Sequence, residues 1–156
     1  VVITGSRRNV SMWEPWMDDV VDLIRSAEVP LYGICFGHQI IAHAFGGRIV
    51  RAPTDSHFVA EVQGENGRSV FASFAHQEHV VDAGELEVIA SAAHCDIAAC
   101  RHPSKPIFTV QYHPEAVSQV LDAAYACGEM NAEERSAYDD ALLTTDVALA
   151  FGLKPG

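Results

Sequence analysis

Basic residues are scarce in this chain: Lys and Arg together number 10 against 21 Asp and Glu, a formal net charge of −11 at pH 7. That balance argues against nucleic acid or an anionic membrane as a main partner, and acidity of this size commonly serves only solubility. The four cysteines, Cys35, Cys95, Cys100 and Cys127, have no CxxC spacing, so neither a zinc knuckle nor any other metal is expected. A disulfide framework is not expected either in a 156-residue chain that is 49% hydrophobic, which leads us to expect reduced thiols in a cytoplasmic setting. No apolar run approaches the roughly 18 residues of a membrane span, and the N-terminal residues do not read as a basic-then-apolar leader. There is no glycine loop of the phosphate-cradling kind, no internal repeat, no low-complexity run and no interdomain linker. What is present suits one globular domain over residues 1–156. The chain opens without methionine, directly in the apolar strand Val1-Val2-Ile3-Thr4, so we expect it to be cut from something longer.

Gly5 to Asn9 reads as a loop. From Pro15, the positions Trp16, Val20, Leu23, Ile24 and Ala27 follow helical spacing, with Trp13 and Trp16 expected to anchor that helix to a sheet. Pro30 breaks the pattern and introduces a strand over Leu31 to Ile34. A helix from Gln39 to Phe45 follows, stopped by Gly46-Gly47. This strand–helix–strand–helix opening implies parallel strands with covering helices. The middle of the chain changes character: short β-rich segments lie near Ile49, Phe58–Val62, Val70–Phe74, Leu86–Ala92 and Ile97–Cys100, with Gln63 to Gly67 as a hairpin connection. Ile107 to Tyr112 is a further buried strand. The tail is helical, including 119–156, and Gly128-Glu129-Met130-Asn131 divides two helices.

The chemistry concentrates where apolar strand residues run into Gly33-Ile34-Cys35-Phe36-Gly37. A strand delivering a thiol onto a sharp turn at a helix N-terminus is the cysteine counterpart of the nucleophile elbow. The helix terminus stabilises the thiolate, the reactive form, and the glycines permit a strained backbone and close approach of a substrate. Buried inert cysteines are common, so the thiol alone decides little. A catalytic cysteine needs a histidine to move its proton and a third group to orient that histidine. His113-Pro114-Glu115 supplies both at the end of a buried strand, where active sites of parallel α/β sheets gather. The other histidines, among them His38, His43, His57, His94 and His102, read as helix, loop or solvent-facing residues.

Gly33-Ile34-Cys35-Phe36-Gly37-His38-Gln39 and Tyr112-His113-Pro114-Glu115 together resemble the class I glutamine amidotransferase family. The likeness extends through Val2 to Ser6, the Gly46-Gly47 stop and His76 to Val80, spanning residues 1 to about 118. It points to the stand-alone type similar to the amidotransferase domain of GMP synthase. The resemblance implies an α/β fold: a three-layer, doubly wound, mostly parallel sheet with a small antiparallel excursion. Its first strands would precede Val1, and a chain lacking them would expose edges and be poorly stable or prone to aggregate. The resemblance also implies a mechanism in which Cys35 attacks the glutamine carboxamide, His113 protonates the departing ammonia and Glu115 orients His113. Water then hydrolyses the γ-glutamyl thioester. The backbone amides of Phe36 and Gly5 would meet the oxyanion; Gly5 is otherwise a turn glycine. Gln39, Ser73 and His76 match positions that line the substrate, and each has a plain structural alternative. No cofactor is implied. The small-molecule substrate is glutamine or a γ-glutamyl compound, and a separate synthase chain would accept the ammonia. Two other readings stay open: a γ-glutamyl peptidase or hydrolase using the same Cys–His–Glu set, and a non-catalytic binding module.

Overall fold

The alternation in the two most apolar strands sets the layers. A computed structural model describes residues 1–146. Its elements run β1 (Val2–Ile3), α1 (Trp16–Ser26), β2 (Leu31–Ile34), α2 (Phe36–Ala44), β3 (Arg48–Gly64), β4 (Ser69–Asp82), β5 (Glu87–Ala92), β6 (Cys95–Arg101), β7 (Ile107–Val110), α3 (Ser118–Ala126) and α4 (Ala132–Ser136). Leu31 and Ile107 turn to one face and join Met17, Ile24, Ile40 and Ile41 of α1 and α2 in the largest core cluster. Ile34 and Val110 turn to the other face, beside Ala99. Each such side chain contributes about 1.5–3 kcal/mol by leaving water.

The sheet order is β1-β2-β7-β6-β5-β3-β4. β1, β2 and β7 are parallel; every other pairing is antiparallel. The α/β class with flanking helices is as expected, but the antiparallel part holds four strands and is broader than a small excursion. The segments near Ile49 and Phe58–Val62 belong to one long strand, β3. Its register shift between Arg51 and Ser56 absorbs Pro53, the residue that makes the sequence read as broken. The hairpin connection forms where expected, with Gly64 N donating to Arg68 O at 2.8 Å.

β1 differs from its reading as a buried strand. It is a sheet edge paired only with β2, and Val1 and Val2 are 62% and 57% exposed. Helix α1 buries Met17, Val21 and Ile24, one face at i, i+4 and i+7 spacing. Trp13, just before the helix, lies against His43 of α2 (4.7 Å between ring centroids); Trp16 lies against Phe36 (5.9 Å) and also lines a hollow with Val2 and Ile3 of β1. Helix α2 ends at the glycine pair, where Gly47 N donates to Ala42 O at 2.8 Å. The tail forms α3 and α4 on either side of Gly128–Asn131, and Asn131 with Glu134 makes a capping box. The expected helical tail does not continue past α4: residues 137–146 are turns and irregular backbone, and 147–156 lie outside the described residues. Among those described, no helix is long and apolar enough to cross a membrane.

Candidate active site

Helix α2 begins at Phe36 rather than Gln39, which puts its N-terminus directly against Cys35. The turn that does this is strained. Cys35 has φ 53° and ψ −103° and is the only non-glycine residue with positive φ among those described. Cys35 N donates to Val110 O of β7 (2.9 Å), and Cys35 O accepts from Gln39 N (3.1 Å), so the turn is pinned from both sides. The turn also requires Gly37, because a Cβ there would overlap the carbonyl oxygen of Ile3. The thiol is 6% exposed, and its Sγ lies 3.6 Å from Ala75 O. The first amides of α2 have no partner within the helix, and the helix dipole adds partial positive charge beside the sulfur.

His113 follows β7 and is held by β4 through its own N–H, which donates to Ser73 O at 2.8 Å. Its Nδ1 bonds Glu115 Oε1 at 2.7 Å, leaving Nε2 to face Cys35. Burial alone would lower the pKa of His113. Hydrogen bonding and charge attraction from Cys35 and Glu115 outweigh it and raise the value to about 10. The imidazole is thus held as a cation beside the sulfur. Gly5 closes the group: a Cβ on it would sit 3.0 Å from His113 Cε1 and 3.7 Å from Cys35 Cβ. The five residues Gly5, Cys35, Phe36, His113 and Glu115 therefore converge.

The three expected substrate contacts divide. Gln39 is 4% exposed, and its Nε2 donates to Glu78 O (3.0 Å) and Gln111 Oε1 (3.2 Å), so its amide nitrogen is spent on the scaffold. Ser73 donates its hydroxyl to Ala116 O at 2.8 Å and so helps hold the 113–116 turn. It lines a different, mainly apolar cavity of about 200 Å³ with Val70, Tyr112 and Leu142. His76 borders a cleft of about 350 Å³ that also exposes Cys35, Phe36 and Gln39.

Other residues of that cleft, notably Arg7, Arg51 and Glu78, carry no expectation from the sequence alone. Arg7 belongs to the loop after β1, and two adjacent arginines in so acidic a chain were the available clue. Glu78, only 2% exposed, accepts from Val10 N (2.7 Å) and Ser11 N (3.0 Å) and ties that loop to β4. His38 lies in helix α2, one of the settings expected for it. It is fully buried, its two ring nitrogens bonded to Thr109 Oγ1 (2.8 Å) and Ile97 O (3.1 Å).

A mixed α/β sheet that carries a thiol on a strained strand-to-helix turn, facing an imidazole–carboxylate pair, defines a protein with a cysteine elbow. Comparison with known proteins places it further: the profile of the family "Glutamine amidotransferase class-I" matches residues 7–130, and the chain belongs to that family. A glutamine-hydrolysing GMP synthase subunit of Methanococcus aeolicus is 38% identical over 104 residues, covering 61% of this chain and 55% of that protein. The bifunctional protein TrpGD of Thermotoga maritima is also 38% identical, over 110 residues, which cover 62% of this chain and 19% of that protein. The chain spans about half the length of the GMP synthase subunits it matches. The crystal structure of a glutamine amidotransferase from Thermotoga maritima superposes with a TM-score of 0.73 over 96% of this chain and 69% of that one, at 15% identity, a likeness of fold.

Proposed function

We propose that this chain hydrolyses the side-chain amide of glutamine through a thioester on Cys35, releasing glutamate and ammonia. The observation that carries the reading is the convergence of Gly5, Cys35 and the Glu115-held His113 at the N-terminus of α2. The Cys35 thiolate attacks the carboxamide carbon, and the electron pair of the C=O bond moves to oxygen. The amides of Phe36 and Gly5 meet that oxyanion. His113, charged at neutral pH, gives its Nε2 proton to the amine as the C–N bond breaks, and ammonia leaves. Neutral His113 then takes a proton from water as that water attacks the thioester; the C–S bond breaks, its electron pair returns to Cys35 as the thiolate beside cationic His113, and glutamate leaves after giving its acid proton to solvent. Glu115 holds the ring through both steps.

The wall of the cleft suits an amino-acid substrate. Arg7 and Arg51 place positive charge beside it in a chain whose net charge is −11, and they fit the substrate's α-carboxylate. The ammonia acceptor would be a separate synthase chain; the relatives' names include both GMP synthase and TrpGD, so family membership leaves the acceptor open.

The experiment compares turnover of glutamine with turnover of γ-glutamyl dipeptides, using Cys35→Ala as the blank. Ammonia and glutamate appearing in equal amounts from glutamine, and not with Cys35→Ala, are expected. Turnover of the dipeptides alone would replace the amidase reading with a γ-glutamyl peptidase, and absence of both would leave a binding module.

A further inference from the structure

Behind the cleft, β4 and the β5–β6 turn bring together four side chains that glutamine chemistry does not use together. The ligand atoms of His76, His79 and Cys95 all lie within 4.8 Å of one another. His94, beside Cys95 in sequence, points its Nε2 at His76 Nε2 from 3.4 Å. Tetrahedral zinc with nitrogen and sulfur ligands places those atoms roughly 3.3–3.6 Å apart. The His76–His94 edge already has that length; rotation of the half-buried His79 closes the edges it shares, and the Cys95 edges close as its thiol turns from Ile97 O.

The ring of His76 is set for this role. Its Nδ1 faces the carbonyl of Glu78 at 2.9 Å, a contact only an N–H can make, so Nδ1 carries the proton and Nε2 offers a lone pair. A backbone carbonyl fixing the outer nitrogen is the arrangement that orients metal-bound histidines. Phe58 and Phe74 pack edge-on against His94, at 4.6 and 4.5 Å between ring centroids, and wall off the cluster. Cys95 is 1% exposed, and its thiol bonds only weakly to Ile97 O at 3.5 Å.

We infer that His76, His79, His94 and Cys95 form a binding site for a borderline-soft divalent cation of the zinc type, joining β4 to the β5–β6 turn. Imidazole with thiolate selects such a cation over magnesium or calcium. On binding, the Cys95 thiol loses its proton to solvent and the metal–sulfur bond replaces the contact with Ile97 O. The sequence clue is H-x-x-H followed by His-Cys, which is not CxxC.

The test uses the untagged chain with Cys35→Ala and Cys127→Ala, which remove the elbow thiol and the exposed thiol. Anaerobic titration with Co2+, then displacement by Zn2+, reads stoichiometry and ligand type. One Co2+ per chain is expected, with tetrahedral d–d absorption and a thiolate-to-cobalt charge-transfer band. Cys95→Ser should abolish that band, and His79→Ala should weaken binding by at least about tenfold. Should Cys95→Ser fail to fold, the half-buried His79→Ala decides alone. Absence of stoichiometric Co2+ binding, or binding that both variants leave unchanged, would overturn the site.

Discussion

Removing the Glu78 carboxylate should detach the loop that carries Gly5 and Arg7 from the sheet. Glu78 is 2% exposed and accepts from Val10 N at 2.7 Å and Ser11 N at 3.0 Å, across 68 and 67 residues of chain. Hydrogen bonds to a charged group contribute about 1.5–3 kcal/mol each, and the two share one carboxylate, so they add incompletely. Glu78→Ala should therefore cost roughly 3–5 kcal/mol, since it leaves the N–H of buried Val10 without its acceptor. Glu78→Gln keeps one acceptor oxygen but sets an NH2 against the second N–H, and should cost about half as much. The assay is urea unfolding followed by tryptophan fluorescence, which Trp13 and Trp16 report from within and beside the loop. In heat, the alanine variant should melt roughly 6–20 °C lower. The backbone carbonyl of Glu78 still holds Gln39 and His76 in both variants, so the loop is the part that loosens. Midpoints of both variants within about 0.5 kcal/mol of the parent would refute the reasoning, because that is the range of an ordinary surface substitution.

Three further outcomes follow from the same geometry. Burial lowers the pKa of His38 to about 4, so the unfolded chain binds its proton first as acid is added; the His38 contribution is whole above pH 6.5 and falls by roughly 3 kcal/mol as pH drops towards 4. His38→Gln should flatten that limb in urea midpoints taken at pH 7 and 4.5, and parallel curves would contradict it. Gly5→Ala should push the His113 ring, cutting kcat for glutamine about 100-fold while the melting temperature barely moves; unchanged kcat would remove Gly5 from the site. The cationic His113 should lose its proton as pH rises through about 10 and carry kcat/KM down with it, and Glu115→Gln should move that limb to lower pH. A limb at the same pH in both proteins would show that Glu115 does not hold the imidazolium.

The elbow was legible because its residues change period within a few positions. Apolar strand residues give way to glycines around Cys35 and then to a helical pattern that ends at Gly46-Gly47. His113-Pro114-Glu115 was legible for a similar reason, since it closes the apolar run from Ile107. What the sequence hid depends on partners far along the chain. Pro53 hid the continuity of β3, which a register shift preserves. Gln39 and Ser73 also have structural partners that spacing does not reveal, since the acceptors of their hydrogen bonds, Glu78 O, Gln111 Oε1 and Ala116 O, lie 39 to 72 residues away. His76 and His79 would face opposite sides of an ideal strand, so their ring contact at 4.5 Å was not to be read from spacing.

The most direct test of a nucleophilic Cys35 is covalent trapping. The chain is treated with a diazoketone analogue of glutamine, digested, and mapped by mass spectrometry, with excess glutamine as competitor. The account predicts one adduct, on the peptide bearing Cys35, suppressed by glutamine and lost in His113→Ala. Labelling of the exposed Cys127 with Cys35 untouched in folded protein would contradict it.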